Sequence, residues 1–139
     1  MFLLDTNVVS ELRKASNGKA NRGVVAWAAG VPSQEMFLSA ISLFEIELGV
    51  LLAERSDPSK GVVLRQWLNG NVFPAFANRV LPMTTELAVR SALAHVPDPA
   101  PFRDSLIGAT ALEHSLTLVT RKVADFKNQS ALTILNPWA

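Results

Sequence analysis

A chain of 139 residues suits one domain, spanning 1–139, and can bury a core without a disulfide or structural metal. It has no cysteine, which rules out disulfide frameworks and thiolate zinc sites. Thirteen Lys and Arg against twelve Asp and Glu leave a formal net charge of +1, so retention on nucleic acid by bulk charge is excluded and any such contact comes from local basic groups. No apolar run approaches the ~20 residues of a membrane span, and Asp5 interrupts the first apolar run too early for a signal peptide. A cytoplasmic protein without membrane contact is expected.

Phe2, Leu3 and Leu4 run straight into Asp5. A short unbroken apolar run bounded by turn formers predicts a buried strand of a parallel sheet. Asp5 then stands at the strand's C-terminal edge, where open α/β sheets bind ligands. Thr6 and Asn7 follow as turn or helix-entry residues, and 8–13 open a helix that Asp5 could simply cap. Residues 14–23 read as a polar loop, 24–29 as a short helix ended by Gly30 and Pro32. Residues 36–42 read as a second strand, followed at once by a helix over 43–53. Pro58 marks 54–61 as a turn, and 62–67 return as helix, giving a helical hairpin over about 43–68. A short strand over 79–84 carries Pro82, which places it at an edge or a strand end. Thr85 is the expected cap of the next helix, which closes before the stiff loop of Pro97, Pro99 and Pro101. A helix over 102–115, a strand over 116–120, a loop over 121–128 and a strand over 132–135 complete the chain. Strands alternating with helices predict an α/β fold in three layers, with a mostly parallel central sheet of about five strands flanked by helices.

Four acids fall at element ends. Glu45 lies among Leu43, Phe44, Ile46, Leu48, Val50, Leu51 and Leu52, a helix apolar almost all round and so expected to be buried on most faces. Glu45 and Glu47 are two apart and cannot share a face, so at least one nears the core and needs a cation, a metal or a proton. Gly49, one turn on, leaves room beside Glu45, and Glu47 is expected outside any site. Asp104 occupies a first helical turn, which the helix dipole favours in any case, with Gly108 and Ala111 on its face to admit another element. Asp125 follows a strand, where an exposed loop aspartate is the plain alternative. Asp5 and Asp125 thus follow strands while Glu45 and Asp104 enter helices, positions that share one edge of a parallel sheet. Carboxylates meeting there need a hard cation, and oxygen-only ligation suits Mg²⁺ or Mn²⁺. His95 and His114 lack ligand spacing and read as structural.

These residues carry a resemblance. Leu4-Asp5-Thr6-Asn7 resembles the opening strand and first acid of the PIN-domain ribonucleases, and within them of the VapC-like toxins of type II toxin–antitoxin pairs. The stretch 39–49, with Glu45 four residues before Gly49, is similar to the strand and helix carrying the second acid. Asp104 followed by 107–111 looks like the third, and Thr120-Arg121-Lys122 before Asp125-Phe126 looks like a threonine–arginine–asparagine element followed by the fourth. Lys122 departs from that pattern, standing where asparagine is usual, and could offset the acids or contact phosphate. Asn136-Pro137-Trp138 resembles the ending of one branch of these toxins.

The resemblance implies a metal-dependent endoribonuclease with Asp5, Glu45, Asp104 and Asp125 around Mg²⁺ or Mn²⁺. It implies supporting hydrogen bonds from Thr6 and Thr120, with Arg103, Arg121 and Lys122 as candidates for substrate phosphate. It implies as partners RNA, a cognate antitoxin protein and a second copy in a homodimer, and Trp27, Phe37, Trp67, Phe73, Phe76 and Trp138 are more large aromatics than one compact core needs. Two rivals stand beside it. A phosphatase of the haloacid dehalogenase type needs a second aspartate where Asn7 stands, and a catalytically degenerate PIN-fold module would bind RNA or protein without cleaving.

Overall fold

Leu3 and Leu4 are neighbours in sequence, are fully buried, and belong to different halves of the core. Side chains alternate across a strand, so this pair faces both ways from the sheet. The computed structural model describes residues 1–138; Ala139, the last position of the expected domain, lies outside the described residues. Strands β1 (Phe2–Leu4), β2 (Met36–Ser39), β3 (Val80–Leu81), β4 (Thr117–Val119) and β5 (Ile134–Leu135) form one sheet in the order β3-β2-β1-β4-β5, and every pairing is parallel. Around it run α1 (Thr6–Arg13), α2 (Arg22–Ala29), α3 (Ala40–Ser56), α4 (Pro58–Trp67), α5 (Phe73–Ala75), α6 (Thr85–Ala92) and α7 (Phe102–Glu113).

Leu4, Leu38 and Val119 face one way and meet Val8 and Val9 of α1, Val24 of α2, and Ile46 and Val50 of α3. Leu3 and Leu118 face the other way and meet Ile107 and Ala111 of α7 together with Phe126. Helix, sheet and helix make the expected three layers, and burying each leucine contributes about 2 kcal/mol. The chain steps outward from β1 to β2 and β3, then returns to β4 on β1's other side. The gap past the ends of β1 and β4 is therefore the point where the strand order reverses. Among the described residues no helix is long and apolar enough to cross a membrane.

Several expected boundaries move, each for a local reason. Ser39 ends β2 and its hydroxyl accepts from the Ser42 amide at 3.0 Å, so Ile41 and Ser42 are helical rather than extended. Asp5 caps α1, which starts at Thr6, two residues early. The expected turn over 54–61 shrinks to Asp57, which caps α4 at Lys60 while Pro58 takes the first helical turn, a position that needs no amide hydrogen. Thr84, not Thr85, caps α6 through the Leu87 amide at 3.2 Å. Helix α7 stops at Glu113, before Ser115 turns to a φ of +54°. Short 3₁₀ turns over Lys14–Asn17 and Val123–Phe126 stand where loops were expected.

The expectation that α3 is buried on most faces fails. Only Ser42, Ile46 and Val50 are buried, while Phe44, Leu51 and Leu52 are each more than half exposed. The helix meets the sheet along one stripe and α4 along another, and its third face is open. Of the six large aromatics singled out, Phe76 is buried, Phe73 is 44% exposed, and the other four are half-buried.

Helices α3 and α4 are clamped by Arg65. Its guanidinium donates to Glu47 at 2.9 and 2.6 Å and to Glu54 at 3.2 and 3.0 Å. The helices can approach because Gly61 has no side chain: a Cβ there would lie 2.5 Å from Glu54 Cα. Replacing Gly61 with Ala should push α4 off α3 and cost about 1–3 kcal/mol, the usual penalty of overpacking. Urea unfolding should show the midpoint falling with the slope unchanged. A midpoint equal to wild type would mean that the hairpin splays freely.

Candidate active site

Asp5 has no exposed surface. Its backbone amide donates to Val119 O at 2.9 Å, extending the β1–β4 ladder one step and fixing the carboxylate at the reversal point. Oδ1 accepts from the Thr6 amide at 2.7 Å. Oδ2 accepts from the Thr120 hydroxyl at 2.7 Å and the Asn7 amide at 3.2 Å. Thr120 Oγ1 in turn accepts from Asn7 Nδ2 at 3.3 Å and the Lys122 amide at 3.0 Å, while Asn7 Oδ1 accepts from the Arg121 amide at 3.3 Å. Asn7 thus ties the end of β1 to the turn after β4, a role not read from the sequence. The signal lay in its spacing: two residues after Asp5, in a first helical turn, it can reach back to the carboxylate. It also leaves an amide where a dehalogenase-type phosphatase needs an acid.

The other acids arrive from both layers. Glu45, in the second turn of α3, accepts from the Thr6 hydroxyl at 2.6 Å and faces Arg103 Nη1 at 3.5 Å. Arg103 lies over the Phe44 ring, 5.2 Å from its centroid. Asp104 is buried in the first turn of α7, and both its oxygens accept from Lys122 Nζ, at 3.0 and 3.1 Å. Gly108, one turn on, admits the Gln129 side chain against the helix, the close approach its small size allows. Asp125 is half-buried on the 3₁₀ turn after β4, near enough for its charge to act on Asp104; among the described residues its carboxylate makes no hydrogen bond or ion pair. Arg121 turns away to the Trp138 ring, 5.6 Å from its centroid. Glu47 lies in the Arg65 clamp, apart from this edge. His95 accepts from the Ala100 amide and meets the Ser105 hydroxyl, and His114 closes α7, so both are structural.

Burial raises the Asp5 carboxyl above its ordinary range, against the lowering effect of the Thr120 bond, the Lys122 charge and the Thr6 amide; the Glu45 charge adds to the rise. Burial also raises Asp104, opposed by the bond and charge of Lys122 and reinforced by Asp5 and Asp125. Partial burial pulls Lys122 down, but its bond to Asp104 and the charges of Asp5, Asp104 and Glu45 outweigh that and hold it above the usual lysine value. Asp5, Glu45 and Asp104 therefore share one electrostatic neighbourhood, and the charges of all three act on Lys122.

Among the described residues no three His, Asp or Glu side chains come close enough together to hold a metal ion. The reason is visible in the partners: Asp104 is turned to Lys122, and Glu45 to Thr6 and Arg103. The donor chemistry still fits a hard divalent cation. The donors are carboxylate oxygens, held by hydroxyls and amides, and they have already drawn in an ammonium group.

A family model described as the PIN domain matches residues 2–128. The chain is 38% identical over 144 residues to the toxin FitB of Neisseria gonorrhoeae, covering 99% of each chain. It is 34% identical over 145 residues to the VapC ribonuclease Y4jK of Sinorhizobium fredii, covering 99% of this chain and 98% of the other. The crystal structure of FitAcB from Neisseria gonorrhoeae contains a chain similar at a TM-score of 0.87, with 35% identity over 99% of both chains.

Both raised acids bind protons more tightly in the folded than in the unfolded chain. Between the unfolded value near 3.8 and the raised folded value, the folded state holds the extra proton, so stability falls as pH rises through that window. Asp104→Asn removes one such slope. In chelator the variant should melt at or above wild type near neutral pH, and its advantage should shrink as pH falls toward the unfolded value. A difference in melting temperature that stays constant across that range would mean Asp104 titrates as an ordinary carboxylate.

Proposed function

The chain belongs to the PIN-domain family, and from that premise we propose that it is a metal-dependent endoribonuclease, the toxin of a toxin–antitoxin pair. The observation that carries this reading is the fully buried Asp5 carboxylate at the reversal point of the sheet, with Glu45 and Asp104 brought to the same edge from opposite layers. The reaction is hydrolysis of RNA phosphodiester bonds, leaving a 5′-phosphate and a 3′-hydroxyl.

Asp5, Glu45 and Asp104 would hold Mg²⁺ or Mn²⁺, with Asp125 beside Asp104 as a further ligand or a water-orienting group. When bound, the ion supplies an acidified water and neutralises charge on the phosphate. Thr120, Asn7 and the Thr6 amide fix both oxygens of Asp5, and the Thr6 hydroxyl fixes Glu45. Such outer partners set ligand orientation. Arg103 flanks the edge as a phosphate contact, and Arg121 would join it only by leaving the Trp138 ring. Lys122 holds Asp104 with its ammonium group, and with that carboxylate engaged by an ion the ammonium would be available to phosphate.

The same Lys122 contact favours a second reading, a PIN-fold binding module in which the lysine permanently takes the place of the ion. As partners we propose a cognate antitoxin covering the acidic edge and a second copy in a homodimer. The exposed apolar residues Val89, Leu93, Val96 and Phe102, each 69–72% exposed, support an interface at α6, the loop after it and the start of α7.

Wild type should cleave single-stranded RNA in millimolar Mg²⁺ or Mn²⁺ and stop in chelator. Glu45→Gln should lower the rate roughly 10²-fold or more with the fold intact, since outer partners of a metal site alone are worth 10–100-fold. Glu47→Gln should leave it near wild type. Lys122→Met should bind Mn²⁺ more tightly by calorimetry. A folded wild-type chain, free of host nuclease, that cleaves nothing at millimolar metal selects the binding-module reading.

A further inference from the structure

Beside the acidic edge lies a depression of about 200 Å³ that shares Thr6 and Glu45 with it and runs between α1, α3 and α4. Three features of its wall are unexplained by the fold. Gly49 sits inside the 17-residue helix α3, where glycine weakens the helix relative to alanine. A Cβ at Gly49 would meet nothing within 4 Å, so the chain's own packing does not call for a glycine there; the space opens into the depression. Arg13 lies over the Trp67 ring, 6.0 Å from its centroid, presenting a flat cation and an indole together. Among the described residues neither Arg13 nor Lys60 has a carboxylate within 4.0 Å, whereas Arg65, Arg103 and Lys122 are each paired with an acid.

Two unpaired cations, a planar π surface and a cleared space, sharing Glu45 with the acidic edge, match the parts of a nucleotide. Phosphate takes Lys and Arg, and bases stack on aromatic rings and guanidinium planes. A peptide could use the charges but has little use for the platform. We propose that this depression is a subsite for a nucleotide of single-stranded RNA flanking the scissile phosphate, with phosphate held by Arg13 and Lys60 and the base lying over Gly49 against Arg13 and Trp67. The inference rests on the nuclease reading above.

The test uses the full chain in chelator, where no cleavage occurs, and a fluorescein-labelled single-stranded RNA hexamer read by anisotropy over a range of salt. Gly49→Leu changes no charge and places a good helix former on open space. It should weaken the hexamer at least about fivefold while raising the melting temperature. The Arg13→Gln/Lys60→Gln double variant should weaken binding and reduce the salt slope by about 1.4, the loss of two contacts to a single strand. Unchanged affinity and slope in both variants overturn the subsite. So does selective loss of poly-glutamate binding with hexamer affinity kept, which would assign the depression to an acidic protein segment. Cleavage by wild type is scored separately, so a cleaving enzyme whose RNA binding is indifferent to both variants removes the subsite and leaves the nuclease standing.

Discussion

A carboxylate with no exposed surface is costly to charge, and the region around Asp5 is arranged to meet that cost. Every donor it uses is local to one of two strand ends. Thr6 and Asn7 follow β1 directly; Thr120 follows β4. The donors can converge only because β1 and β4 are neighbours in register, Leu4 opposite Val119, so that the next residue of each strand meets across the gap. The reversal of strand order is thus also the source of the hydrogen-bonding shell. What the shell leaves uncompensated is felt further out, where Lys122 leans over Asp104 and Arg103 over Glu45.

The layers hold this edge in different ways. On the α7 side the support is apolar and tight, with Ile107, Gly108, Ala109 and Ala111 all buried behind Asp104. On the α3 side it is looser. Glu45 stands on a helix that buries one stripe and exposes Phe44, Leu51 and Leu52, and that is braced against α4 by a charged clamp more than by a core. Clamp residues that remain a quarter to two-fifths exposed contribute modestly, so the close backbone contact at Gly61 matters as much as the ion pairs.

The sequence made β1, β4 and α7 legible because one pattern, an unbroken apolar run or a small-residue face beside an acid, had one structural meaning. It misplaced the start of α3 because Ile41 and Ser42 suit a strand as well as a helix, and the decision lay with the Ser39 hydroxyl. The turn over 54–61 was overdrawn because Pro58 ends a helix from inside but begins one from the first turn. The placement of Asp5 after β1 and of Asp104 in the first turn of α7 was readable from local order, whereas Glu45 falls a turn deeper in its helix because α3 begins at Ala40. That Lys122 could offset the acids was readable too, but its choice of Asp104 was not, since the pair joins residues 18 apart on different elements and depends on which way a flexible side chain turns. The exposure of α3 was hidden for a related reason: an all-round apolar helix describes what could be buried, not how much neighbouring surface exists to bury it.

The bond from Thr120 to Asp5 spans 115 residues. During synthesis β1 must remain without its β4 neighbour until residue 120 has emerged as well. At 5–20 residues per second that interval is on the order of ten seconds. A nascent chain in that interval carries its first carboxylate but neither the hydroxyl that orients it nor Asp104 beside it. The long-range closure therefore makes the hydrogen-bonding shell of Asp5 one of the last features of the fold that can form as the chain is made.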